Sequence, residues 1–232
     1  GSSSTKLERT RSLFRDSKLS PPRHAAEQMR YPLPDTWYRQ IMIITLANWK
    51  GGVGKSTSTV FTGIALTEHG TVRFIDTDPQ GALADWARMA GRDFPDTQMA
   101  PGGRLTPAMT SGADFIIIDT PPSDPITLSR AIDAADAVII PTTPAHGDVS
   151  RTLALIDQLS KQEIPATVLL TATEANTIIL REALEALSDL PDGISLYEHL
   201  VPHRQHFKSA FGTLPKAAIL HPYDLIARDL TE

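Results

Sequence analysis

Five short apolar runs recur along the chain, each bounded by polar or turn-forming residues. They are rich in isoleucine and valine and are continuous rather than alternating, which is typical of strands buried on both faces of a parallel sheet. A sixth apolar stretch covers residues 194–201 and completes the set. The five runs are IMIITLA (41–47), TVRFID (71–76), DFIIID (114–119), DAVIIP (136–141) and ATVLLTA (166–172).

Predicted helices lie between these strands. Helical patterns cover residues 55–68 and 81–90, each followed by a glycine, and a further helical segment covers residues 126–134. Residues 94–111 are irregular and leave room for little more than a short strand and a turn of helix. Because strands that alternate with helices form right-handed βαβ units, the pattern predicts an α/β fold. Its sheet is doubly wound and mostly parallel, with helices on both faces.

Composition restricts the class of protein. The 232 residues are 41% hydrophobic, which is enough for a large core, and no apolar run reaches the length of a membrane span. The sequence has no secretory leader pattern, so we expect a cytoplasmic protein. The absence of cysteine excludes thiolate metal sites, iron–sulfur clusters and disulfides. A formal net charge of -5 argues against a surface that is basic throughout, but it permits a local basic patch.

The first forty residues differ from the rest, so the chain divides into an N-terminal extension (1–40) and a single domain (41–232). GSSS at positions 1–4 is typical of an expression-tag remnant and is left out of the fold analysis. The remainder of the extension is rich in arginine and interrupted by prolines. Its composition predicts a flexible leader.

The stretch NWKGGVGKST (48–57) joins the first predicted strand to the first predicted helix. In that position a phosphate-binding P-loop is indicated by residues Gly51, Gly52, Val53, Gly54, Lys55 and Ser56. Glycines permit positive φ and let backbone N–H groups approach phosphate oxygens, and a helix N-terminus adds unpaired donors. Lys55 is expected to reach the β- and γ-phosphates, and Ser56 to ligate Mg²⁺. The alternative is a glycine-rich turn that binds no ligand.

Three carboxylates follow predicted strands at the same edge of the sheet, where ligands bind in folds of this type. Asp119 ends FIIID, in the Walker B position, where a carboxylate holds Mg²⁺ or a water in its shell. Asp76 and Asp78 end the strand before the second helix, in IDTDPQ. The alternative for any one of them is an N-cap of the following helix. Together they predict ligands to a cation or to an attacking water.

Four separated motifs resemble the ParA/MinD group of P-loop ATPases, from about Met42 to the C-terminus and more loosely after about Pro165. KGGVGKST (50–57) resembles the deviant Walker A motif of that group, and FIDTDPQGALADW (74–86) resembles its switch I region. DFIIIDTPP (114–122) resembles Walker B and switch II. DAVIIPTTPAHGDVS (136–150) is similar to the next stretch of small, ParF-like partition ATPases.

The resemblance implies a role for the second lysine, Lys50. Members of the group dimerise face to face around two ATP molecules, and the matching lysine reaches the partner's nucleotide, where it acts much as an arginine finger does. The alternative for Lys50 is an exposed loop charge. The resemblance also implies that Asp78 positions the attacking water, that Asp76 supports the metal shell and that Thr57 contacts the α-phosphate. It therefore implies weak, Mg²⁺-dependent ATP hydrolysis that DNA and a partner protein stimulate.

The adenine contacts are not assigned. TATEAN (171–176) lacks the basic or amide residue that often follows the matching threonine in the group, although ATP and ADP remain the expected nucleotides.

Small members of the group bind DNA non-specifically as ATP dimers, and a ParB- or ParG-like partner then releases them. The resemblance thus implies a nucleoid-associated protein that partitions plasmid or chromosomal DNA. Candidate phosphate contacts are Arg181, Arg204, Lys208 and Lys216, with a solvated charged face as the alternative. The other interpretations are an ATPase that positions another cargo, such as a carboxysome or chemoreceptor array, or a conjugation-associated DNA-binding protein.

Related functions fit the sequence less well. YDLIARDLTE (223–232) is short and acidic, which argues against a MinD-like membrane anchor. Nitrogenase-reductase-like proteins need cluster cysteines, and ligases such as dethiobiotin synthetase lack a Lys50-type motif. Residues 1–40 are too few for the helix-turn-helix domain of larger plasmid members. Arg9, Arg11 and Arg15 suggest a further hypothesis, a peptide that imitates the arginine-bearing activators of the group.

Overall fold

The computed structural model describes residues 41–232, apart from the side chain of Lys208. The predicted flexible leader, with Arg9, Arg11 and Arg15, lies outside the described residues. The strands and helices, in chain order, are β1 (Met42–Leu46), α1 (Lys55–Leu66), β2 (Val72–Asp76), α2 (Ala82–Ala90), β3 (Asp96–Met99), β4 (Phe115–Asp119), α3 (Pro125–Asp133), β5 (Ala137–Thr142), α4 (His146–Lys161), β6 (Ala166–Leu170), α5 (Ile178–Ala186), β7 (Ile194–Leu196), α6 (Gln205–Ser209) and α7 (Tyr223–Thr231).

The described strands form one seven-stranded parallel sheet in the order β3-β2-β4-β1-β5-β6-β7. The chain runs toward β3 after β1 and toward β7 after β4, so the sheet is doubly wound as predicted. In the central register Leu46 of β1 lies beside Asp119 of β4, and Asp119 lies beside Asp76 of β2. The carboxyl ends of three neighbouring strands therefore meet at one edge, which is where the P-loop begins.

Helices cover both faces of the sheet. In the first layer, α1, α2 and α7 bury Val60, Leu83 and Ile226 in one cluster, and Phe207 of α6 packs against that cluster. In the second layer, α3, α4 and α5 bury a separate cluster. Within residues 41–232, no helix combines the length and apolar character that crossing a bilayer requires.

Most predicted elements are present with small shifts in their ends. The first helix ends at Leu66, and the irregular segment contains only β3 and a 3₁₀ turn at Pro101–Gly103, as expected. The last strand is shorter than the apolar stretch that predicted it, because only Ile194–Leu196 pair continuously with β6. Beyond it the amides of Tyr197 and Val201 still donate to carbonyls of β6.

Candidate active site

The loop between β1 and α1 has the backbone shape that phosphate binding requires. Gly52 and Gly54 have φ values of 80° and 87°, in the left-handed region that favours glycine. Gly54 is the N-cap of α1 and supplies no side-chain cap. The first-turn amides of α1, including those of Ser56 and Thr57, therefore have no capping side chain. A helix N-terminus with uncapped N–H groups favours a bound anion.

Two polar side chains that the sequence analysis did not single out fix this loop. Asn48 is fully buried; its amide nitrogen donates to Pro141 O (2.9 Å) and Thr152 Oγ1 (3.0 Å), and its oxygen accepts from Lys50 N (2.9 Å). Thr171 Oγ1 donates to Val53 O at 2.8 Å. The loop is thus held to β5, α4 and the end of β6. Asn48 opens the motif stretch, and Thr171 ends a predicted strand, but neither position indicates its distant partner.

Replacing Thr171 by valine is expected to lower the free energy of unfolding by about 1–3 kcal/mol, because Val53 O is left without its hydroxyl donor in a buried place. Nucleotide affinity is expected to fall as well, because the loop loses an anchor. Denaturant unfolding and nucleotide titration measure the two effects. Thr167→Val, within β6 and bonded instead to Ser195 at 3.2 Å, is the control. Equal loss of nucleotide affinity in the control would contradict the assignment of Thr171 to the loop.

The two lysines of the loop are in different environments. Lys55 is buried, and its Nζ donates to Lys50 O at 2.8 Å. Burial lowers the pKa of Lys55, whereas the carboxylates of Asp119 and Asp78 oppose that change. Lys50 is only partly buried, and none of the ion pairs among the described lysines and arginines includes its side chain. Lys55 therefore interacts with the carboxylates at the strand ends, whereas Lys50 pairs with none of the described acidic residues.

Asp119 lies at the centre of the site. Its side chain is almost fully buried and accepts from Ser56 Oγ at 2.6 Å and from Thr59 Oγ1 at 3.1 Å. Thr77 Oγ1 donates to its backbone carbonyl at 2.7 Å. Burial raises the pKa of Asp119 to about 7, with the charge of Asp76 adding to the rise and the two hydroxyl donors opposing it. A nearby cation would favour the charged form.

Ser56 and Asp119 fit a magnesium ion. Their oxygens are 2.6 Å apart and converge from the first turn of α1 and the end of β4, and both are the hard ligands that Mg²⁺ prefers. Among residues 41–232 no group of three or more His, Cys, Asp or Glu side chains is arranged to hold a metal ion. A cation here would therefore complete its shell with phosphate oxygens and water, as Mg²⁺ commonly does in phosphoryl-transfer sites.

Asp76 and Asp78 differ in burial and in their interactions. Asp76 is fully buried; Oδ1 accepts from Asp78 N at 3.0 Å, and Oδ2 accepts from Leu83 N and Ala84 N at 3.0 Å each. It thus caps α2, which is the alternative considered for these carboxylates. Burial raises the pKa of Asp76, and the backbone donors counteract this. Asp78 is half-buried and close enough to Lys55 for its charge to raise the pKa of that lysine.

The four candidate DNA contacts do not share one helix layer. Arg181 is exposed on α5, in the second layer. Arg204 and Lys208 flank Phe207, which packs against the first layer, and Lys216 follows on the same segment. Arg204 and Lys216 are both exposed. Arg204, Lys208 and Lys216 therefore lie on one segment of the first layer, whereas Arg181 lies in the second layer.

A left-handed glycine loop, a buried lysine and a serine–aspartate pair at neighbouring strand ends are the means by which P-loop proteins hold nucleotide phosphates. Residues 44–213 match the CobQ/CobB/MinD/ParA nucleotide binding domain. The chain belongs to this family of nucleotide-binding ATPases, and the predicted membership of the ParA/MinD group is confirmed.

Similar proteins come from partition and positioning systems. The chain is 32% identical over 179 residues to Maintenance of carboxysome distribution protein A of Gloeobacter kilaueensis, covering 72% of this chain and 80% of that protein. A plasmid partition protein of Borrelia burgdorferi B31, solved with AMPPNP, superposes with a TM-score of 0.63 at 19% identity, over 83% of this chain and 97% of that one. The structure of pNOB8 ParA bound to nonspecific DNA gives a TM-score of 0.54 at 16% identity, over 83% and 98% of the two chains. The two structures support the predicted fold. The chain is therefore a ParA/MinD-family ATPase.

Proposed function

We propose that two copies of this chain enclose two ATP molecules and that each copy supplies Lys50 to the nucleotide of the other. The single observation that carries this proposal is the position of Lys50. Its backbone carbonyl holds Lys55, whereas its own ammonium group has no acidic partner within residues 41–232. The neighbouring Gly51 and Gly52 are exposed, so a second copy can approach the loop closely. A cation supplied in this way is worth about 10³–10⁵ in rate.

The remaining residues of the site divide the work of hydrolysis. The P-loop amides and Lys55 bind the phosphates, and Thr57 contacts the α-phosphate. Mg²⁺, held by Ser56 and Asp119, would neutralise charge on the phosphate oxygens. Asp78 orients the attacking water.

Asp76 supports the metal shell indirectly. Its two oxygens accept three backbone hydrogen bonds, which hold the loop that carries Asp78 beside the start of α2, and through that loop Asp76 shapes the surroundings of the ion.

In the ATP dimer the chain is proposed to bind DNA without sequence preference. Phosphate contacts need only a cluster of cations, which residues Arg204, Lys208 and Lys216 provide. Dimerisation doubles this cluster. The fold likeness to a ParA solved on nonspecific DNA is consistent with such binding and with association with the nucleoid. A partner protein of the ParB or ParG type would then stimulate hydrolysis and release the DNA, so that plasmid or chromosomal DNA is partitioned.

Reversing the charge of two of these residues, Arg204→Glu with Lys208→Glu, is expected to weaken ATP-dependent DNA binding. The slope of log affinity against log salt should fall by about 0.9 for each phosphate that the variant no longer neutralises. Fluorescence anisotropy across a salt series measures both changes. The control is the pair Arg151→Glu and Lys161→Glu on α4, which removes the same charge from the second layer. If the control loses as much affinity, net charge rather than this cluster governs binding.

A second candidate function is the positioning of a cargo other than DNA, such as a carboxysome. The observation in its favour is the 32% identity to a carboxysome distribution protein. Both functions share the ATPase cycle, and the partner distinguishes them. We therefore expect ATP turnover, measured alone, with DNA and with the product of the adjacent gene, to rise most with both additions. A partner that binds a specific DNA site favours partition, and one that binds a protein shell favours positioning. No turnover under any condition would overturn the proposal.

A further inference from the structure

Residues 204–216, called the strap below, form a basic segment on the first helix layer. The strap contains Arg204, Lys208 and Lys216 and none of the 27 acidic residues of the chain. It includes α6 and the loop that follows, and it leads toward α7. Two separate sets of contacts attach it to the domain, and each set involves a helix that begins at the nucleotide site.

The first attachment joins the strap to α1. The ring of Phe207 meets that of Phe61 edge-on at a centroid distance of 4.9 Å, and Tyr223 completes a three-ring cluster at 5.4 Å from Phe61. The hydroxyl of Tyr223 shares a buried hydrogen bond with Ser58 Oγ at 3.0 Å. Ser58 lies in the first turn of α1, directly after Lys55 and the residues that would bind phosphate. The α6 end of the strap is therefore packed against the P-loop helix.

The second attachment joins the strap to α2. Trp86 is almost fully buried; its Nε1 donates to Thr213 O at 2.7 Å, and its ring lies 5.4 Å from that of Phe211. Gly212, with φ of 77°, passes so close to Met89 that an added Cβ would lie 2.6 Å from the Met89 side chain. This helix is capped by Asp76, whose other oxygen positions Asp78. The part of the strap around Thr213 is therefore attached, through α2, to Asp76 and to the loop that carries Asp78.

We infer that the nucleotide site controls the position of the strap through these two attachments, so that the strap is the surface by which the nucleotide state is passed to DNA. The inference rests on the proposed function, because it takes ATP as the ligand and DNA as the partner. Helix α1 begins at the P-loop, and α2 begins just after the loop that carries Asp78. Packed rings and helices move as units rather than deforming gradually. A ligand that changes the separation of the two loops must therefore displace the strap.

Hydrogen exchange tests this directly, without DNA. On full-length protein with Mg²⁺, exchanging ADP for AMPPNP is expected to change amide exchange across residues 208–214 by about 5–150-fold, the range of ordinary allosteric coupling. Trp86→Phe removes the indole donor, and Phe207→Leu removes the aromatic ring. Both variants are expected to retain AMPPNP binding and to lose most of the change. Phe94→Leu, a buried ring of the same layer that packs on Phe74, is the matched control and should behave as wild type.

DNA affinity provides a second readout. The ratio of DNA affinity with AMPPNP to that with ADP should fall toward one in both strap variants, whereas a purely structural role would change both affinities alike. Unchanged exchange in the strap on AMPPNP binding, or variants that keep the wild-type ratio, would overturn the inference. A wild-type protein that changes its strap on AMPPNP but binds no DNA would instead overturn the DNA part of the proposed function.

Discussion

The variant Lys50→Ala is expected to lower ATP turnover by about 10³–10⁵-fold, while AMPPNP affinity stays near that of the wild type. The reason is that phosphate binding in each copy relies on the P-loop amides and Lys55. In the proposed dimer, the ammonium of Lys50 instead acts on the charge that develops at the partner's phosphoryl group. AMPPNP-dependent dimerisation should be lost too, and sedimentation velocity with Mg²⁺ measures it. Lys161→Ala removes an exposed lysine that pairs with Asp157 at 2.6 Å and is the control.

Mixing two inactive variants shows whether Lys50 acts within its own copy or across the interface. An equal mixture of Lys50→Ala and Asp78→Ala yields heterodimers in which one site has Asp78 from the first copy and Lys50 from the second. Each heterodimer then holds one complete site and one site that lacks both residues, so mixing restores turnover that neither variant shows alone. If Lys50 served its own nucleotide, neither copy would hold a complete site, and the mixture would stay as inactive as its components.

Asp119→Asn is expected to have opposite effects on function and on stability. Mg²⁺-dependent hydrolysis should be abolished, because Asp119 is the charged one of the two proposed protein ligands and Ser56 alone would hold the ion weakly. In EDTA and without nucleotide, the free energy of unfolding above pH 7 should instead rise by about 2–4 kcal/mol. The burial that raises the pKa of Asp119 to about 7 makes its ionised form costly in the folded protein. Asparagine removes that cost; its oxygen can accept from one of the two hydroxyls, Ser56 or Thr59, and its amide nitrogen can donate to the other.

The pH dependence follows from the same raised pKa. Below about pH 4 Asp119 is protonated in both the folded and the unfolded chain, so the substitution changes little on this account. Between about pH 4 and 7 the unfolded chain releases the proton while the folded one retains it, so the wild type loses stability relative to the variant as pH rises. Urea unfolding at pH 4.5 and 8 checks this. An equal stability difference at both pH values would contradict the role of burial.

Features encoded by neighbouring residues could be predicted from the sequence. The P-loop needs glycines, a lysine and a serine within a few positions of a strand end, and the structure forms it as expected. Buried parallel strands likewise show themselves as continuous apolar runs. The same local logic left two roles for Asp76, and two of its three backbone hydrogen bonds, from Leu83 N and Ala84 N, cap the first turn of α2.

Features that depend on distant residues could not be predicted. Asn48 bonds to Pro141, 93 residues away, and Thr171 bonds to Val53 across 118 residues. No local spacing encodes such pairs, since they exist only once the sheet order is set. Arg181 is the converse case. Arg181 and Arg204 both lie in the C-terminal part of the sequence. In the fold, however, Arg181 lies on α5 in the second layer, whereas the segment that contains Arg204 packs against the first layer.

The capping role of Asp76 has an evolutionary consequence. Because this carboxylate holds the start of α2 and the turn of Asp78 together, losing it disturbs the architecture whether or not hydrolysis is under selection. Homologues of this chain that have lost ATPase activity should therefore tolerate substitutions at Lys50 and Asp78 more readily than at Asp76. In such pseudoenzymes a retained aspartate would reflect its role in folding. Its presence alone would not indicate that ATPase activity survives.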